Sequence, residues 1–178
     1  MSSIIKVNTI QDAGGNALLT SNGSGTLTTN NIGGQNTPAF EATITTEQNP
    51  SDNTYTLINF DSEIFDTASA YDTSNKRFTV PSGQGGKYFI YSYSTMGSNT
   101  NSDLAEAFLG IYKNGSRVKQ AYADFSENKV RYSAISVSNT FDLSAGDYIQ
   151  MYGLVNIVSG SAEIRTLEST FGGYKIIE

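Results

Sequence analysis

From Phe40 onward, apolar and polar residues follow a period of two rather than 3.6. In RYSAISVSNTFDL, Tyr132, Ala134 and Ser136 fall on one side and Ile135 and Val137 on the other, the alternation of a strand whose faces see different surroundings. KYFIYSYSTM departs from that rule in an informative way. Tyr88 and Ile90 lie on one face, and Phe89, Tyr91 and Tyr93 on the other. A strand that is apolar on both faces must be covered on both, and in an antiparallel protein the covers are the opposite sheet and a neighbouring subunit. Further strand-like runs are PAFEATIT, TYTLINF, DYIQMYGLV and TFGGYKII. Turn clusters separate them: NPSDN, DTSNK between Tyr71 and Phe78, Asn114-Gly115, and SAGD. Asn-Gly between two strand patterns is the strongest hairpin signal in the chain. Eight or more short strands at about ten-residue spacing predict an all-β sandwich or jelly roll.

The pattern changes at Pro38. All 9 Phe and 11 Tyr lie from Phe40 onward, and the segment before Pro38 carries two charges, Lys6 and Asp12. Three glycine-rich turn signals, Gly14-Gly15, Asn22-Gly23 and Gly33-Gly34, divide it into β-prone runs over 4–10, 17–20 and 26–32. The phrase NTIQDAGGNALL is loosely echoed by TTNNIGGQNTPAF. Such a segment cannot build a core by itself. It is either a flexible linker or an arm whose Ile4, Ile5, Val7, Ile10, Leu18, Leu19, Leu27 and Ile32 bury against its own copies or a partner protein. Regularly spaced aliphatics favour the second. The expected organisation is therefore an N-terminal anchoring and oligomerisation arm over 1–37 and a head over 38–178.

Composition narrows the chemistry. Seventeen acidic against 11 basic residues give a net charge of −6. The basic footprint that displaces counterions from nucleic acid is missing, and no apolar run is long enough to insert in a membrane. With no cysteine and no histidine, disulfides, thiolate nucleophiles and the commonest general base are excluded. The start MSSIIKVNTIQDAGG lacks the charged and apolar regions of a signal peptide.

The order of the motifs then carries a resemblance. Pro38-Ala39-Phe40 is followed by Tyr71 and Phe78, by Pro81, Gly86, Tyr88 and Phe89, by Lys113-Asn114-Gly115, by Leu143, Gly146 and Asp147, and by Ser169, Phe171, Gly173 and Tyr174. Over about 140 residues this resembles the family that joins the globular head of the first complement component's q subunit with tumour necrosis factor. The resemblance implies a ten-stranded antiparallel jelly-roll sandwich, assembled as a homotrimer with aromatic side chains along its threefold axis. Tyr88, Phe89, Tyr91, Tyr93, Phe171 and Tyr174 are the candidate trimer-interface residues. The chain departs from secreted members in lacking a collagen-like Gly-x-y stalk. The opening SIIKVNTIQDAGGNALLTSNGSGTLT resembles the N-termini of tailed-phage virion fibre and structural proteins, marine ones in particular. That likeness implies docking on other virion proteins through residues 1–37, at the particle exterior.

Catalytic constellations are sparse, so the protein is expected not to be an enzyme. Asp61 with Glu63, or Asp103 with Glu106, are carboxylate pairs of the kind that cleave glycosides across a cleft, though solvated edge charges explain them better. The glycine-rich GSGT and SGQGG lack the Lys-Ser/Thr ending of a phosphate loop. No cofactor is expected. Calcium is the one ion worth naming, with oxygen donors in PSDN, YDTSN and SNTNSD, and solvated turns explain these loops better. Tyr55, Tyr112, Tyr122 and Tyr132 could stack on sugar rings of a host-surface glycan, against the plainer alternative of cross-strand packing. The leading expectation is a trimeric short fibre or surface decoration of a phage particle that binds a host surface or stabilises the particle. A secreted recognition ligand is the alternative, and a particle-borne glycan-cleaving enzyme a more distant one.

Overall fold

The computed structural model describes residues 7–29 and 36–176. The chain divides into a small N-terminal unit and a larger one spanning Asn36–Ile176. The expected residues Ile4, Ile5 and Ile32 lie outside the described residues.

In the small unit, β1 (Thr9–Gln11), β2 (Ala17–Ser21) and β3 (Leu27–Thr29) form an antiparallel sheet in chain order. Its two turns share one hydrogen-bond scheme. The Asp12 Oδ1 accepts from the amides of Gly14 (2.8 Å) and Asn16 (2.9 Å). Asn22 Oδ1 does the same for Ser24 (2.8 Å) and Thr26 (3.1 Å). In each turn the side chain two and four residues upstream satisfies backbone donors that the reversal would leave bare.

The large unit holds eleven strands among the described residues, where the resemblance implied ten. Five of them, β4 (Ala39–Thr43), β6 (Ser62–Asp66), β9 (Gly86–Ser98), β12 (Tyr132–Leu143) and β14 (Ala162–Lys175), make one sheet in the order β12-β9-β14-β4-β6. The other six are β5 (Thr56–Leu57), β7 (Tyr71–Asp72), β8 (Arg77–Thr79), β10 (Leu104–Lys113), β11 (Ser116–Asp124) and β13 (Tyr148–Ile157). They pair in the order β11-β10-β13-β8-β7, with β5 on β13. Two of the eleven, β5 and β7, are only two residues long. Successive long strands mostly change sheets, as in a jelly roll. All pairings within both sheets are antiparallel.

Between the sheets the inward faces close a largely aliphatic core that holds a cluster of aromatic rings. Phe40 stacks on Phe78 (4.5 Å between centroids) and Tyr71 (5.3 Å) and meets Phe171 edge-on at 5.0 Å. Phe60 and Tyr88 join the cluster through Phe171 and Phe78. Each fully buried ring is worth about 1.5–3 kcal/mol over its exposed state. The polar ends are satisfied: Tyr71 Oη donates to the Phe60 carbonyl at 2.8 Å and Tyr88 Oη to that of Gln84 at 2.6 Å. Burial pushes the Tyr88 hydroxyl up to about 12.

Several separated motif positions meet at one end of this sandwich. The β10–β11 hairpin turns on Asn114 and Gly115, both at positive φ (51° and 80°), as a two-residue turn between right-twisted strands requires. Asn114 then reaches across to the start of β13, donating to Asp147 Oδ1 at 2.7 Å and accepting from the Tyr148 amide at 2.8 Å. Lys113 Nζ lies 2.7 Å from Asp147 Oδ2, which also accepts from the Ser144 amide at 2.8 Å. Hydrogen bonds from Lys113, Asn114 and Ser144 hold the Asp147 carboxyl down at about 2. A depressed folded-state value stabilises the protein above the unfolded value of 3.8, and the contribution disappears as pH falls through about 2. Asp147→Asn is therefore expected to lower the melting temperature at pH 7, by the equivalent of about 1–3 kcal/mol. The two melting curves should converge as pH falls from 4 to 2, and a pH-independent offset would contradict this account.

Candidate assembly surface

The inward face of the five-stranded sheet is spent on the core, so any assembly through this sheet uses the outward face. Strand register fixes what that face presents. Phe89 on β9 is flanked by Thr140 on β12 and Tyr174 on β14, which neighbours Ala39 on β4. One row along, Tyr91 is flanked by Ser138 and Gly172, then Glu41 and Phe65. The next row runs Ser136, Tyr93, Thr170, Thr43 and Ser62. The Phe89 ring lies 5.6 Å from Tyr174 and 6.1 Å from Tyr91.

Gly172 explains how Tyr91 sits. A Cβ at Gly172 would fall 2.5 Å from the Tyr91 Cζ and hydroxyl. With no side chain there, the ring crosses β14 and donates from Oη to Glu41 Oε2 at 2.6 Å. Burial, reinforced by the Glu41 carboxylate, pushes the Tyr91 hydroxyl upward, so it remains a proton donor at neutral pH. The result is a polar tie beneath an aromatic patch, with Tyr93 (41% exposed) and Phe65 (45% exposed) at its margins.

Phe89, Tyr91, Tyr93 and Tyr174 thus come together on one face. Tyr88 and Phe171 do not belong with them. Both are 0% exposed and point between the sheets, because Tyr88 precedes Phe89 and Phe171 precedes Gly172 on strands that alternate in and out. The family pattern had grouped aromatics by proximity in sequence, and the pleat separates them. Phe65 and Glu41 were not singled out from the sequence. Glu41 was readable, since Phe40 and Ala42 face inward and oblige it to face out. Phe65 follows a register shift between the β4 and β6 pairings, and an irregular strand hides its face from the pattern.

The other candidates are engaged locally. Tyr55, Tyr112 and Tyr122 share the outer face of the six-stranded sheet with Phe108 and Tyr152. Their rings pack on one another: Phe108–Tyr122 at 4.3 Å, Tyr112–Tyr152 at 4.2 Å and Tyr55–Phe108 at 6.0 Å. Tyr132 lies under the guanidinium groups of Arg131 (5.2 Å) and Arg165 (4.9 Å) and donates to Glu163 at 2.6 Å. Cross-strand packing therefore accounts for all four.

The carboxylates serve as acceptors. Asp61 takes hydrogen bonds from Thr45 and Asn59, Asp103 from Thr100 and Ser159, and Glu106 from Tyr122 and Asn156. In the loops considered for calcium, Asp52 binds the Ile157 amide and Asp72 caps its own turn. Among the described residues, no three acidic side chains converge on a common point. In the small unit, Val7 and Ile10 are exposed and Leu18 and Leu19 half-buried, while Leu27 is placed by its backbone only.

Similar structures support the fold reading. The globular domain of zebrafish complement 1qA protein superposes with a TM-score of 0.57 at 14% identity, over 78% of this chain and 97% of that one. Murine APRIL at pH 5.0 gives 0.57 at 12% identity over 78% and 98%, and at pH 8.0 gives 0.55 at 13% over the same shares. No curated protein matches the chain. The C1q domain family model matches residues 39–176, the whole of the two-sheet unit from β4 to the end of β14, and the chain belongs to the C1q domain family.

Proposed function

We propose that the protein is a trimeric structural component of a phage particle, a short fibre or surface decoration that displays its jelly-roll head at the particle exterior. The observation that carries the trimer is the outward face of β9, β14 and β4, where Phe89, Tyr91 and Tyr174 form an aromatic patch on a sheet whose other face is already buried. Burying such a patch against two further copies removes apolar surface from water without any new charge pair. Placement on a virion rests on the likeness of residues 3–28 to phage structural proteins and on the near-neutral, aromatic-free character of that segment. Three heads on one axis would multiply a weak grip on a host glycan or protein by avidity. The function is binding and assembly, with no catalytic step.

A chain lacking residues 2–35 is expected to be absent from assembled particles, measured by mass spectrometry of purified virions, while its head still folds. Incorporation at the level of the full chain would refute the anchoring role. A secreted recognition ligand is the second reading, favoured by the structural likeness to the complement head and APRIL, and it predicts no particle association for either form.

A further inference from the structure

The small unit is a three-stranded sheet with more apolar surface than its size can hide. Cross-strand neighbours Ile10 and Leu19 stand on one face. Ile10 is 46% exposed and Leu19 half-buried. A threonine row, Thr9 paired with Thr20, stands on the other face, and Leu18 is the extra residue where the register of β1 and β2 slips. Strands of three, five and three residues do not make an independently stable sheet unless an apolar face is covered. Nevertheless the unit is well specified locally. Both turns are closed by their Asp12 or Asn22 side chain and by backbone bonds from Asp12 to Asn16 (2.9 Å) and Asn22 to Thr26 (3.2 Å).

We infer that the Ile10–Leu19 face is a self-association surface, and that its occupant is the same face on other copies of this chain. The inference rests on the trimeric reading above. Three considerations select copies over a foreign partner. The segment runs into the head through a few residues, so a trimeric head holds three such sheets at an effective concentration in the millimolar range for a short connection. Little charge opposes their approach, since Asp12 is the only ionised side chain of the described segment and its carboxylate is hydrogen-bonded within its own turn. Finally, a face of isoleucine and leucine opposite a threonine row is the pattern of a strand layer that points inward to an axis and outward to water. Self-packing leaves the threonine row and the turns for the particle.

The native chain has no cysteine, which makes a direct test simple. Ile10→Cys and Leu19→Cys, introduced singly into the full chain, should each form an interchain disulfide under mild oxidation, seen as a dimer band on a non-reducing gel. Thr20→Cys, on the opposite face, should remain mostly reduced, with at least a tenfold lower crosslinked fraction. Light scattering on the same samples separates the two levels of the claim. A trimer with no crosslink at either apolar position, or with equal crosslinking on both faces, overturns the self-packed sheet while leaving the trimer standing, the first result pointing to a different partner and the second to a loose tether. A monomer overturns both.

Discussion

On the trimeric reading proposed above, Phe89→Asp is expected to leave a folded monomer of 19.1 kDa in place of the trimer. Phe89 sits between Tyr91 and Tyr174 on the outward face of β9, so its removal takes away the centre of the patch and leaves the inward core rings untouched. In the monomer the carboxylate stays in water at little cost. In a trimer meeting through this face the same substitution would bring three acidic groups together. Truncating a central aromatic anchor costs about 2–4 kcal/mol, and a symmetric trimer carries that loss three times, about 6–12 kcal/mol. This lowers the association constant by roughly four to nine orders of magnitude. Light scattering at micromolar concentration reads the outcome, and circular dichroism reports whether the head is still folded. Val118→Asp, on the exposed part of β11 in the other sheet, should stay trimeric. A trimeric Phe89→Asp protein would show that this face is not where the copies meet.

The sequence made much of this fold readable, because long strands of a sandwich advertise themselves through alternation. Ile135 and Val137 face in and Ala134 and Ser136 face out, as the pattern of β12 predicts. The Tyr71–Phe78 hairpin and the Asn114-Gly115 turn occur where their polar clusters lie. Physical distance along the chain was the obstacle elsewhere. Nothing local in Lys113 or Asn114 reveals that both bond to Asp147, more than thirty residues away. Nor could pattern alone reveal that Tyr91 would lie over Gly172 to reach Glu41, since that depends on β14 sitting between β9 and β4. The β6 register shift and the face of Phe65 escaped for a related reason: an irregular strand has no period to read.

Phe171→Ala should cause the larger loss of stability, and it tests which way β14 faces. Phe171 contacts Phe40 at 5.0 Å, Phe60 at 5.6 Å and Tyr71 at 5.9 Å, and none of its surface meets solvent. Truncation removes these contacts and opens a cavity that the neighbours cannot readily fill. Phe40 is held by its stacks on Tyr71 and Phe78, and Tyr71 is tied through its hydroxyl to the Phe60 carbonyl. A Phe→Ala change in such a site costs about 3–5 kcal/mol, a large share of the roughly 5–15 kcal/mol that holds a domain folded. For a unit of this size the melting temperature should fall by about 6–20 °C. The proposed trimer would also stabilise the folded chain by mass action, so an interface residue could lower the melting temperature indirectly. Placing Phe171→Ala on the Phe89→Asp monomer removes that linkage. If Phe171 lies between the sheets, the full 3–5 kcal/mol persists there in denaturant titrations, because the two side chains occupy opposite faces and share no ring contact. If it lies on the assembly face, its effect vanishes once the copies are already apart.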